Sequence, residues 1–225
     1  MMINLFIAGS GANFKDPNGN AFQNEFNIWG IGNRDLIDCV EVQKNGTAKY
    51  VQNGSHKNIV ITFKNCFYRE CELENIGYGL KNAIDLVRKD NGYPTVNLFG
   101  HSNGGNAIAR YLYTFKPNFV NNILTCATPY NGMAFTDKPS AFVNEVLNLT
   151  NLWSPMGNID MFVGKGISIA NTFPSYVEND GNISTKSGQC GQLVYNRNVN
   201  VIEGANHGTI NTIPEVTKIV NEWQA

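Results

Sequence analysis

Residues 95–113 read TVNLFGHSNGGNAIARYLY: an apolar run, then Gly100-His101-Ser102-Asn103-Gly104-Gly105, then helix-forming residues without a break. A serine set between glycines at a strand-to-helix junction has two readings. One is a glycine-rich connection carrying an idle hydroxyl. The other is a sharp elbow that presents Ser102 for nucleophilic chemistry, with small neighbours because larger side chains would clash across the turn. An apolar strand directly before and a helical run directly after favour the second reading. Such a turn lifts the serine Oγ above a sheet, at a helix N-terminus whose partial positive charge suits a developing anion.

The rest of the chain supplies a setting for that elbow. Short apolar runs at 3–8, 59–63, 96–99, 123–127, 159–163 and 199–203 have the composition of buried parallel strands. Between them lie amphipathic stretches. Ile76, Leu80, Ala83, Ile84 and Val87 share one helical face, ending at Asn91-Gly92. Phe142, Val146, Leu149 and Trp153 recur at similar spacing, and Val216, Ile219, Val220 and Trp223 follow Pro214, which suits a helix start. Strand alternating with helix implies parallel pairing through right-handed crossovers, hence a three-layer α/β sandwich with helices on both faces of a mostly parallel sheet. Residues 38–52 break the rhythm. Two alternating runs flank Asn45-Gly46, which predicts a β-hairpin with a type I′ turn, added as an insertion or an antiparallel edge.

Serine needs a base to act as a nucleophile, and the chain has three histidines. His101 adjoins the serine on the elbow and should point away from its Oγ. His56 lies in a polar loop before a strand. His207 follows the last strand, at the end where loops of a parallel sheet gather around a site, and is the predicted base. The carboxylate that orients it should lie between the two in sequence. Asp180, in an Asp-Gly turn after the 159–163 strand, fits best; Glu178 is two residues away, and Asp160 sits at the wrong end of that strand. Asp137, which follows the preceding strand, is the topological alternative. An oxyanion needs donors. The predicted pair is the backbone N–H of Asn103 and that of Ser10, the latter in a loop that Gly9 and Gly11 allow to approach closely. No Lys-Ser/Thr follows that loop, so it does not read as a phosphate-binding loop, and Gly30-x-Gly32 lacks the strand and third glycine of a dinucleotide site. Phe14, Tyr130, Phe142 and Trp153 are candidate substrate contacts. The run at 139–153 reads as a helix packed on the core, or alternatively as a lid over an acyl chain.

These segments together resemble the α/β-hydrolase superfamily, in its serine esterase and lipase branch, and small bacterial lipases in particular. GHSNGG (100–105) resembles the G-H-S-x-G-G elbow. AGSGANF (8–14) is similar to the oxyanion loop, with Ala8 where histidine is common. TCATPYNG (125–132) is similar to a Thr-Pro segment ending the strand after the elbow helix, DGNIS (180–184) to the acid loop, and GANHGTI (204–210) to the base loop. Residues 15–57 match nothing in that pattern. The resemblance implies an α/β-hydrolase fold carried by residues 1–225 as one domain. It also implies a Ser102-His207-Asp180 triad cleaving carboxylic esters through an acyl-enzyme, as a lipase, phospholipase or esterase. Neither cofactor nor metal is implied. An acyltransferase using the same triad, or a binding protein on a hydrolase scaffold, are the alternatives.

Bulk properties agree. At 225 residues with 42% hydrophobic and 16% charged residues, the chain can bury a core without staples. A net charge of −1 offers no field to recruit nucleic acid or an anionic membrane, though transient lipid contact is compatible with it. The five cysteines are odd in number and fit no zinc spacing, which reads as free thiols in a reducing compartment. The N-terminal apolar run is short and lacks a preceding charge for a signal peptide, and no segment approaches the roughly 20 apolar residues of a membrane helix. The expectation is a soluble protein, cytoplasmic or exported without a classical signal, that acts on a small ester or lipid.

Overall fold

The computed structural model describes residues 2–10, 29, 38–53, 57–64, 73–132, 141, 143–145, 156–166 and 177–224. Strand β1 (Met2–Ile7) is followed by β2 (Asp38–Val42), β3 (Ala48–Gln52) and β4 (Asn58–Phe63). Helix α1 (Leu73–Asp90), strand β5 (Thr95–His101), helix α2 (Asn103–Phe115) and strand β6 (Val120–Cys126) come next. The chain closes with β7 (Ile159–Lys165), short helices α3 (Thr185–Gln189) and α4 (Gly191–Tyr195), β8 (Asn200–Glu203) and α5 (Pro214–Gln224).

The strands form one sheet in the order β3-β2-β4-β1-β5-β6-β7-β8, parallel everywhere except at β3. Helices cover both faces, as the alternating sequence pattern predicts. On one side Leu80, Ala83, Ile84 and Val87 of α1 and Ile108, Tyr111 and Leu112 of α2 pack on Ile3, Leu5, Ile7, Ile59, Ile61, Val96 and Leu98. On the other, Val216 and Val220 of α5 pack with Trp29 on Phe6, Val60, Phe99 and Leu124. Alternate residues of one strand thus serve opposite cores, which is why the central strands are continuously apolar. Each such aliphatic or aromatic side chain contributes about 1.5–3 kcal/mol on burial.

β1 marks the switch in winding: the strand after it in the left half (β4) lies on one side, and β5 lies on the other. The C-terminal ends of β1 and β5 lie side by side there, Ile7 paired with Gly100, the kind of position at which open α/β sheets place their sites. Ala8, Gly9 and Ser10 follow the one strand end, and Ser102 follows the other.

Two local expectations are corrected. The 38–52 hairpin is the antiparallel sheet edge, β2 pairing parallel with β4 on its inner side, but its turn is not type I′. Gln43 and Thr47 close a three-residue connection, Gln43 N to Thr47 O at 2.7 Å and Gly46 N to Gln43 O at 2.8 Å. Only Gly46 takes positive φ (81°). Asn45 instead spends its side chain as an acceptor, Oδ1 receiving Thr47 N at 3.1 Å and Thr47 Oγ1 at 2.7 Å, so it has no need of the left-handed region. Strand β8, expected to be buried, is largely exposed, with Val201 37% exposed; it is the other sheet edge, with a neighbour on one flank alone among the described residues.

His56, Cys66, Cys71, Asp137, Phe14, Phe142, Trp153, Gly30 and Gly32 lie outside the described residues, as does most of the 139–153 run. Cys39, Cys126 and Cys190 are buried. No helix among the described residues is long and apolar enough to cross a membrane.

Candidate active site

β5 runs directly into α2 through Ser102, whose backbone sits at φ 52°, ψ −127°. A non-glycine residue at positive φ costs on the order of 1–3 kcal/mol and persists only where its surroundings hold it. Here Ser102 N donates to Cys126 O at 2.9 Å, and Gly105 N returns to Ser102 O at 3.0 Å. The glycines are required by contact. A Cβ on Gly104 would lie 2.1 Å from Ile7 O, one on Gly105 2.0 Å from Thr128 Oγ1, and one on Gly100 2.8 Å from Gly105 N. Although Ser102 occupies the helix N-cap, its side chain makes no capping bond. Its hydroxyl is spent elsewhere.

That hydroxyl meets His207 Nε2 at 3.1 Å, and His207 Nδ1 meets Asp180 Oδ2 at 2.9 Å. A carboxylate only accepts, so Nδ1 carries the proton toward Asp180 and Nε2 is left to accept from Ser102. Asp180 is fully buried, and its second oxygen is also satisfied: Oδ1 accepts from Asn182 N at 3.0 Å and Ile183 N at 2.8 Å. This turn holds the carboxylate rotamer by bonds separate from the one to the imidazole. The two loops are further joined by His207 N donating to Asp180 O at 2.8 Å.

β7 makes room for that junction. A Cβ on Gly164 would lie 2.2 Å from Ala205 O and 2.8 Å from Asp180 Cβ, so the loops after β7 and β8 close over a strand that is bare at this point. Thr185 Oγ1 donates to Gly164 O at 3.0 Å, holding α3 to the same place. On the solvent side Lys165 pairs with Glu178 at 3.1 Å, and that carboxylate raises the lysine pKa.

The loop after β1 closes the other wall. A Cβ on Gly9 would come 3.0 Å from Ser102 Cβ, so Ser10 follows a residue in direct contact with the serine. The Asn103 side chain bridges the gap, Nδ2 donating to Ser10 Oγ, while its own Oδ1 accepts from Asn106 Nδ2 at 3.1 Å. The backbone amides of Ser10 and Asn103 thus belong to two segments that flank the Ser102 hydroxyl.

Of the carboxylates weighed from sequence, Asp180 touches the histidine. Glu178 faces Lys165 instead, and Asp160 stands at the opposite end of β7, where partial burial raises its carboxyl pKa. Tyr130, expected as a substrate contact, is in the core. It is 2% exposed, its hydroxyl bonds Thr125 Oγ1 at 2.7 Å, and its ring meets Tyr195 edge-on at 5.9 Å. Helix α4 covers it, Gly191 lying so close that a Cβ there would be 2.6 Å from the Tyr130 ring. Burial pushes this phenol pKa up.

Three contributors escape sequence reasoning. His101 is buried, and its Nε2 donates to His207 O at 2.9 Å with the two rings 5.0 Å apart; the elbow therefore grips the His207 loop as well as presenting Ser102. Asn106 braces Asn103 and also donates to Pro129 O at 3.1 Å. Gly164 is the third. His101 stands in the elbow motif, but from sequence it is expected only to point away from Ser102; its bond to His207, that of Asn106 to Pro129 and the contact of Gly164 with Ala205 each join residues distant along the chain. Among the described residues, no group of three or more His, Cys, Asp or Glu side chains could hold a metal ion.

Known proteins place this architecture. A presumed cell surface hydrolase of Lactobacillus plantarum superposes with a TM-score of 0.72 at 18% identity, covering 99% of this chain and 89% of that one. A gene product of Listeria innocua gives 0.67 at 17%, with 99% and 93% covered. The mature lipase BlEst2 of Bacillus licheniformis gives 0.54 at 14%, with 99% and 91% covered. At such identities the likeness is one of fold. No curated protein matches the chain. The family model described as an alpha/beta hydrolase of unknown function (DUF915) matches residues 2–223, and the chain belongs to that family of α/β hydrolases.

Proposed function

We propose that this α/β hydrolase is a serine carboxylic ester hydrolase acting as one catalytic unit, with Ser102 as nucleophile, His207 as base and Asp180 as the carboxylate that orients it. The observation that carries the reading is the unbroken series of hydrogen bonds from Asp180 through His207 to the Oγ of a serine held at positive φ. A strained backbone at the serine and a base 3.1 Å from its hydroxyl support the reading, because both features cluster at nucleophilic active sites.

The chemistry follows from the proton positions. His207 Nε2 takes the Ser102 proton as Oγ bonds to the ester carbonyl carbon, and the carbonyl electron pair moves to oxygen. The backbone N–H groups of Ser10 and Asn103 receive that oxyanion. His207, now protonated and stabilised by Asp180, passes its proton to the departing alkoxide, which leaves as the alcohol. Water then repeats the sequence on the acyl-enzyme: Nε2 takes its proton, the tetrahedral species forms again, and the acid departs as Ser102 regains its hydrogen. Small esters, phospholipids and longer acyl esters share this route.

A panel of esters graded by acyl length and headgroup, together with a fluorophosphonate probe, tests the proposal. Hydrolysis and labelling of the wild type are expected, with Ser102→Ala abolishing labelling and Ser102→Ala and His207→Ala each lowering turnover by about 10⁴-fold or more. Labelling that persists in Ser102→Ala, or full hydrolysis by His207→Ala, overturns it. Transfer of the acyl group to an added alcohol in preference to water would instead identify an acyltransferase.

A further inference from the structure

One polar chain at the site is not used by the mechanism above. It starts at Asn106, buried on α2, whose Nδ2 is shared between Pro129 O and Asn103 Oδ1, each at 3.1 Å. Because its Oδ1 is held there, the Asn103 amide must point its NH₂ group the other way. That group reaches across to the loop after β1 and donates to Ser10 Oγ. A serine hydroxyl has two lone pairs and one proton. Accepting from Asn103 occupies a lone pair and forbids the proton from pointing back along the same line. The Ser10 proton is therefore confined to directions away from Asn103, and among the described residues it has no acceptor. Ser10 itself is exposed at the rim, beside Gly9, the residue in contact with Ser102.

We infer that the Ser10 hydroxyl is a third donor to the oxyanion, alongside the backbone N–H groups of Ser10 and Asn103, and that the side chains of Asn103 and Asn106 are positioning residues that aim it. The inference rests on the serine-hydrolase reading. No proton changes hands in this role: the Ser10 hydrogen stays on its Oγ, and the hydrogen bond strengthens as the carbonyl oxygen gains charge. Because that charge is largest in the transition state, the contribution falls on kcat more than on KM. Asn103 then acts twice, through its backbone on the oxyanion and through its side chain on the donor opposite.

The test is a double-mutant cycle on the full chain, with kcat, KM, fluorophosphonate labelling rate and melting temperature measured for each variant. Ser10→Ala keeps the backbone donor and is expected to lower kcat and the labelling rate by about 10²-fold, the usual consequence of losing one oxyanion donor. KM should stay within about twofold and the melting temperature should not move. Ser10→Thr, which keeps a hydroxyl, should recover most of the rate. Asn103→Ala should lower kcat by about tenfold alone and by nothing further in the Ser10→Ala background, because both changes remove one interaction. Wild-type kcat in Ser10→Ala, or losses that multiply in the double variant, overturns the inference. So does a rate loss that tracks a lowered melting temperature and is not recovered by Ser10→Thr, since the hydroxyl would then be a loop tie. If the wild type is neither labelled nor active, the hydrolase reading falls and takes this inference with it. If the wild type is labelled and Ser10→Ala matches it, this inference falls alone.

Discussion

The two halves of the hydrogen-bonded series reach the rim of the sheet by opposite means. Ser102 is delivered by a continuous strand, turn and helix, with no intervening loop between β5 and α2. Asp180 and His207 are delivered by loops, Asp180 fourteen residues beyond Gly166 and His207 three beyond Gly204. The elbow owes its shape to residues within a few positions of the serine. The Asp180 and His207 loops owe theirs to each other and to Gly164 beneath them. Local chain geometry makes the first half, and tertiary contact makes the second.

That contrast can be broken most directly at the carboxylate. Asp180→Asn keeps an oxygen for the Asn182 and Ile183 amides, so the turn should survive. The imidazole would lose the acceptor that fixes its tautomer, and ester turnover should fall by about 10⁴-fold with the melting temperature little changed. A loss under tenfold would mean that the loop, not its charge, matters.

Next in size is a matched pair of glycine substitutions. Gly104→Ala meets the Ile7 carbonyl and Gly164→Ala meets the Ala205 carbonyl, both backbone atoms that cannot swing away. Each should cost about 1–3 kcal/mol or more of stability by overpacking, read as a lower denaturation midpoint. They should differ in the surviving folded fraction. Gly164→Ala pushes the acid and base loops apart and should lose about 10²-fold in turnover through misplacement alone, while keeping Ser102 on its elbow. Equal specific activity in Gly164→Ala and wild type would refute the dependence of the loops on that strand.

The smallest effect is expected at the link between the halves. His101→Phe keeps a ring between β5 and the base loop but removes the donor to His207 O. Turnover should drop by about tenfold, with kcat affected and KM unchanged, while His101→Gln, which restores a donor, should recover part of it. An unchanged kcat in His101→Phe would make the elbow and the base loop independent.

Periodicity was enough for the sheet and for helices α1 and α5, because buried strands and amphipathic helices write their environment into spacing: Leu80, Ala83, Ile84 and Val87 are all buried as their face predicts. It failed where a side chain replaced a backbone solution, as Asn45 does in the hairpin turn, and where position in the sheet overrode composition, as at the exposed edge strand β8. Tyr130 shows a third reason. Its neighbourhood in sequence places it beside the site, but helix α4, arriving from sixty residues later, closes over its ring.

The amino-acid order alone determined the α/β class, the elbow around Ser102 and its glycines, and the short set of histidines and carboxylates from which a base and an acid could be drawn. These depend on spacing, propensity and the steric demand of one tight turn, all local quantities. Only the tertiary structure decided that Asp180, among the described carboxylates, meets His207, that His101 and Gly164 hold their loops together, and that Asn103 reaches across to Ser10. Those contacts join residues from 16 to 106 positions apart, and a contact of that kind is set by how the whole sheet closes rather than by any stretch of it.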